Sequence, residues 1–179
     1  MTLAAPKDKL RRADRIAPAG SWHGSPADTV VLTHDDRHRR RIVLTCQSGR
    51  QVLLDLAEAR LLHDGDGLLA DDGAIVAVRA AAEALAEVRC RDPQELARIA
   101  WHLGNRHLPT QILGDSLRFR DDHVIVDMVR GLGAEVVKVT APFEPEGGAY
   151  AHHAHGAPLA SPLAPTRGHH PHHGHDHDH

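Results

Sequence analysis

From Thr29 to Arg79 short apolar runs alternate with turn signals, which is the pattern of strands and not of helices. Thr29-Val30-Val31-Leu32, Ile42-Val43-Leu44-Thr45-Cys46 and Gln51-Val52-Leu53-Leu54 read as strands, and Ser48-Gly49-Arg50 joins the second to the third as a hairpin. Asp64-Gly65-Asp66-Gly67 and Asp71-Asp72-Gly73 supply later turns around Leu68-Leu69 and Ala74-Ile75-Val76-Ala77-Val78. The pattern predicts a small all-β domain over 1–80, with the first roughly 20 residues flexible as an untied terminus. Ala80 to Glu87 is rich in alanine and reads either as helix by propensity or as a linker into a strand near Ala84 to Cys90. The pattern does not choose between them.

After Cys90 the apolar period lengthens toward 3.6 residues. Asp92 is placed as an N-cap, Pro93 as the first helical residue and Glu95 three positions after the cap, a helix start. Leu96, Ile99, Ala100 and Leu103 then share one face, and Gly104 ends the helix. Thr110 to Leu113 and Ser116 to Arg120 flank Gly114-Asp115 as a hairpin. A second helix starts near Asp121 or Asp122, with Ile125, Met128, Val129 and Leu132 as its buried stripe and Gly133 as its stop. Val136, Val137 and Val139 form a last strand. The order from Ala84 to Thr140 is β-α-β-β-α-β, the ferredoxin-like arrangement, assigned to a domain over 81–150. The expected class is therefore α+β.

Aromatic residues make up only 3% of the chain, so both cores must be built from Leu, Val, Ile and Ala, and docking or oligomerisation would help domains this small. A net charge of -3 with histidine neutral argues against a nonspecific nucleic-acid binder. No run approaches the ~20 apolar residues of a membrane span, and Met1 to Ile16 lacks an apolar signal core, so a cytoplasmic protein without membrane contact is expected. Cys46 and Cys90 stand far apart in strand-like contexts and read as ordinary buried thiols. Arg37-His38-Arg39-Arg40-Arg41 reads as a solvated face and is assigned no site.

Histidine changes the picture. Of 17 histidines, ten fall in the last stretch: His152, His153, His155, His169, His170, His172, His173, His175, His177 and His179. Imidazole is the commonest protein ligand for borderline divalent metals. Pro171, Gly174, Asp176 and Asp178 interrupt the cluster, unlike a contiguous purification tag, which points to a native tail. After Tyr150 only Leu159 and Leu163 are large and apolar, so 151–179 cannot offset the entropy of ordering and is expected to be disordered without metal.

Two histidines in the folded part stand out. His107 lies in Gly104-Asn105-Arg106-His107-Leu108-Pro109, where Gly104 and Asn105 can take left-handed angles that stop the helix and Pro109 keeps Leu108 extended. A short, stiff exit of that kind suits a functional imidazole, although an exposed or capping histidine fits the spacing too. His123 follows Asp121 and Asp122, which can act as carboxylate partners to the ring or merely as helix caps.

With these motifs in view, the chain resembles the UreE family of urease accessory nickel metallochaperones. The likeness rests on Trp101-His102-Leu103-Gly104-Asn105-Arg106-His107-Leu108-Pro109, on Asp122-His123-Val124 with Met128, on Pro142-Phe143-Glu144-Pro145-Glu146-Gly147-Gly148-Ala149-Tyr150, and on the histidine-rich end that follows. It runs from about Leu32 to Tyr150, strongest after Asp92. The resemblance implies a homodimer formed through the ferredoxin-like domain, with His107 at the interface binding Ni(II) together with its symmetry mate. His123 matches a histidine that some members use for a peripheral metal site, where Asp121 stands in the place of a further histidine. His102 is implied to be a supporting or surface residue.

The implied function is non-enzymatic: Ni(II) is held as cargo and passed to apo-urease, with the accessory GTPase UreG as partner. Zn(II) and Cu(II) compete for such ligands, and binding should fall below about pH 6, because imidazole must be deprotonated to ligate. Two other readings stand beside it. One is a general nickel or zinc storage protein whose tail does the binding. The other is a metal-dependent hydrolase built on His107, His123 and Asp122, against which stands the lack of an HExxH-like pair. The basic run then gains a further option, contact with a protein partner.

Overall fold

The computed structural model describes residues 10–147. They are mixed α and β with strands in the majority, arranged in two sheets. The first has six strands: β1 (Arg11–Ala17), β2 (Asp28–Leu32), β3 (His38–Thr45), β4 (Gln51–Leu61), β5 (Gly67–Ala70) and β6 (Ile75–Ala80). Their spatial order is β2-β6-β5-β1-β4-β3, with β1 parallel to β4 and β2 parallel to β6. The two outer strands nearly meet. Gln47 N–H, just past β3, donates to the Thr29 carbonyl of β2 at 2.8 Å, and the Ser48 hydroxyl donates to Asp28. Inside this almost closed sheet sit Ala13, Val30, Leu44, Cys46, Val52, Leu54, Leu62, Leu68 and Val78, all buried.

β1 corrects the expectation of a flexible start. Arg-Arg-Ala-Asp-Arg-Ile-Ala carries too few apolar residues to announce a strand, yet β1 lies between β4 and β5 and is held by ladders on both sides, with Ala13 fully buried. A one-turn helix, α1 (His34–Arg37), also interrupts the first half, capped by the Thr33 side chain on the Asp36 amide. The first half is therefore not purely β.

The second sheet contains β7 (Ala82–Arg89), β8 (Gln111–Leu113), β9 (Ser116–Arg120) and β10 (Glu135–Pro142) in the order β10-β7-β9-β8, every neighbour antiparallel. The open question over 80–87 resolves as strand. Helix propensity yields because β7 is central, paired along its length with β10, and its Ala86 leaves room opposite Phe119.

Helices α2 (Pro93–Gly104) and α3 (His123–Gly131) cover one face, with Ile99, Leu103, Val126 and Val129 packed on Ala86, Val88, Leu117 and Phe119. α2 starts as the sequence suggests: Asp92 accepts from the Glu95 amide at 2.8 Å and the Glu95 carboxylate reaches back to the Arg91 amide at 2.8 Å. On α3 the deepest residues are Val126 and Val129, while Ile125, Met128 and Leu132 are half-buried, so the stripe is turned slightly from the expected one. Cys46 is buried and Cys90 half-buried, and burial pushes both thiols up from their ordinary value, as inert core cysteines require.

Candidate functional site

His107 sits where α2 leaves the sheet. The Leu108 amide reaches the Leu103 carbonyl at 3.4 Å and the His107 amide reaches the Gly104 carbonyl at 2.9 Å. These are the paired 6→1 and 5→2 bonds of a Schellman stop, and Leu108 folds back onto the cluster that contains Leu103, as that motif favours. Such a stop needs one left-handed residue. It is neither Gly104 nor Asn105, as the sequence suggested: Asn105 keeps helical angles (φ -62, ψ -16), and the left-handed residue is His107 itself at φ 55. It is the one non-glycine residue with positive φ among the described residues. Glycine usually fills this place, and a residue with a Cβ costs about 1–2 kcal/mol there. Strain retained by an exposed imidazole points from the outlier toward a function.

Around it the backbone is pinned. The Arg106 guanidinium donates to the His102 carbonyl at 2.9 Å. His102, half-buried, has its ring edge-on to Trp101 at 4.9 Å, so it packs and does not join His107. Trp101 is 64% exposed and Val124, the second residue of α3, 60%. α2 runs back against β7 and β9 runs antiparallel to it, so α2 ends and α3 begins at the same end of the sheet. That end thus presents exposed apolar side chains beside His107 and His123.

His123 is the first residue of α3 and is exposed. The two carboxylates that could tune its ring are engaged elsewhere. Asp122 caps the helix, accepting from the Val124 and Ile125 amides at 2.8 and 3.3 Å, and Asp121 pairs with Lys138 at 2.6 Å. For Asp122 the helix-capping reading is the one the geometry favours. Among the described residues no three His, Cys, Asp or Glu side chains gather closely enough to hold one metal ion. His152, His153, His155, His169, His170, His172, His173, His175, His177 and His179 lie outside the described residues.

Arg37 departs from the reading of a solvated basic run. It is fully buried, donates to the Leu62 carbonyl at 3.2 Å, and also donates to the Phe143 carbonyl and the Glu144 carboxylate. Glu144 in turn accepts from the Asp64 amide at 3.2 Å and lies 3.3 Å from His63 Nδ1. The next stretch is tied to the exit from α2: the Gln111 side chain accepts from the Glu144 amide at 3.4 Å, and the Thr110 carbonyl from the Glu146 amide at 2.8 Å. The segment after β10 therefore runs across the molecule and is fixed three residues beyond His107. The sequence signals were Thr33 as a cap just before Arg37 and the two prolines around Phe143-Glu144.

Residues 10–81 match the family model described as UreE urease accessory protein, N-terminal domain, and residues 83–179 the one described as UreE urease accessory protein, C-terminal domain. A urease accessory protein UreE of Rhodopseudomonas palustris (strain HaA2) is 58% identical over 140 residues, 78% of this chain and 65% of the relative. That of Bradyrhizobium sp. (strain ORS 278) is 56% identical over 147 residues, 81% of this chain and 70% of the relative. That of Chelativorans sp. (strain BNC1) is 51% identical over 152 residues, 85% and 89% of the two chains. The chain thus spans about two thirds of the length of the first of these relatives. It belongs to the UreE family of urease accessory proteins, a family of accessory proteins and not of enzymes.

Proposed function

We propose that this protein binds Ni(II) as cargo and hands it to apo-urease during urease maturation, acting in the cytoplasm with the accessory GTPase UreG. The observation that carries the reading is the exposed imidazole of His107, held in a left-handed conformation that the fold would fill more cheaply with glycine. Membership of a family named for urease accessory function gives it its client.

The β-α-β-β-α-β half, taken as a ferredoxin-like domain over 81–150 beside an N-terminal domain over 1–80, forms the homodimer in this reading. The strand order β10-β7-β9-β8 supports that fold class. Trp101 and Val124, exposed near the end of α2 and the start of α3, support the helix end as the mutual surface. One exposed histidine per chain becomes two imidazoles about a two-fold axis. Neutral imidazoles suit Ni(II), while Zn(II) and Cu(II) compete for the same donors. His123 serves as a peripheral ligand, and the histidines of 151–179 collect ions at high local concentration and exchange them to the His107 pair.

The test is nickel titration by calorimetry, with light scattering for mass, on the whole chain, on His107→Ala and on a chain lacking 152–179. His107→Ala should lose the tightest site per dimer and keep weaker ones. Removing 152–179 should keep the tight site. Equal high-affinity binding in wild type and His107→Ala overturns the assignment, and loss of all tight binding with the tail favours a storage protein.

A further inference from the structure

α1 is one turn long and sends two side chains into the junction between the sheets. Arg37 is the buried cation described above, and its Nε has no hydrogen-bond partner. His34 packs edge-on against the Phe143 ring at 5.7 Å, and its buried Nδ1 is likewise without a hydrogen bond. Two residues of α1, His34 and Arg37, therefore hold the same short strap, Phe143 to Glu146, which continues onto Gln111 and Thr110.

The groups facing the His34 ring come from three elements. α1 contributes Arg37 and Asp35, whose Oδ1 lies 3.8 Å from Nδ1. β7 contributes Glu83, already occupied by the His34 amide at 2.8 Å, and β9 contributes Arg120, paired with Asp35 at 2.7 Å and with Glu83 at 3.4 Å. The strap supplies only the uncharged Phe143 ring. Burial, then Arg37, then Arg120 hold the imidazole below its ordinary value, and Asp35 and Glu83 only partly oppose them. A proton on His34 thus adds a third cation between two fixed ones in a site that solvates it poorly.

We propose that His34 is an acid-sensitive latch on the Phe143–Glu146 strap: neutral, it seats Phe143, and protonated, it drives the strap off the junction and off Thr110. The idea goes beyond nickel delivery and does not rest on it. The other histidine near the strap, His63, lies 3.3 Å from the Glu144 carboxylate and can be substituted independently of His34.

The experiment is amide hydrogen exchange on the full chain from about pH 7 down to pH 5, corrected for the intrinsic exchange rate. The readout is the Glu146 amide, with Val30 in the first core as control. In wild type, Glu146 protection should fall severalfold across that window, while Val30 stays protected. His34→Phe keeps an edge-on ring and takes no proton, so its Glu146 protection should stay flat. An equal fall in His34→Phe, or no fall in wild type, overturns the latch. Should His34→Phe fail to fold, wild-type NMR decides: His34 ring shifts that titrate together with Glu146 exchange support the proposal, and independent titration overturns it.

Discussion

The guanidinium of Arg37 and the carboxylate of Glu144 face each other across 107 residues of sequence, Arg37 with no exposed surface and Glu144 partly open to water. The arrangement is lopsided: the cation has nowhere to go if its partner is removed. Glu144→Ala should therefore cost about 3–5 kcal/mol, since it leaves a buried charge uncompensated. Arg37→Met, which removes the charge and keeps the stem, should cost less than Glu144→Ala. Urea unfolding of both variants checks the order. If Arg37→Met is the more destabilising, the pair is held chiefly by its hydrogen bonds to the Leu62 and Phe143 carbonyls and not by charge.

His107 gives a prediction in which stability and binding move in opposite directions. Glycine at this left-handed position relieves strain that alanine keeps, so His107→Gly should be about 1 kcal/mol more stable than His107→Ala. Both should lose the tight nickel site. Thermal unfolding and nickel titration of the two variants check this together, and equal melting temperatures would show that the Schellman stop tolerates a Cβ without cost.

Glu95 carries a pH prediction. The Arg91 side chain, then the Arg91 amide, hold its carboxyl down from 4.5 to about 2. A carboxylate lowered by folding contributes stability that is fully present above its unfolded value and is lost as pH falls through the folded one. Wild type should accordingly lose helix stability between about pH 4.5 and pH 2, and Glu95→Gln should be less stable at neutral pH and flatter across that window. Urea midpoints followed by circular dichroism at a series of pH values provide the check.

Much of this molecule could be read from its sequence, and the exceptions share a cause. The caps of α2 and α3 were legible because Asp92, Pro93, Glu95 and Asp122 act on amides within four residues of themselves. The hairpin turns at Gly49 and Gly114 were legible for the same reason, each with φ positive where glycine is cheapest. β1 and Arg37 were not, and β7 was legible only as a strand from about Ala84, with its lead-in left open. β1 is a polar-looking segment made a strand by neighbours around 40 and 55 residues away, β7 is alanine-rich and overruled by β9 and β10, and Arg37 finds its partner at Glu144. At the site, the motif around His107 named the residue, but the left-handed angle passed from Gly104 and Asn105 to His107 because Leu108 must turn back onto Leu103.

The near-closure of the first sheet has a consequence for self-association. With Gln47 bonded to Thr29, β2 and β3 offer little free ladder to a passing strand, and in the second sheet β8 is only three residues long while β10 carries Lys138 and ends in Pro142. Lysine, proline and brevity are the usual guards against edge-to-edge growth into fibrils. Strand edges on this chain are thereby guarded against open-ended strand addition.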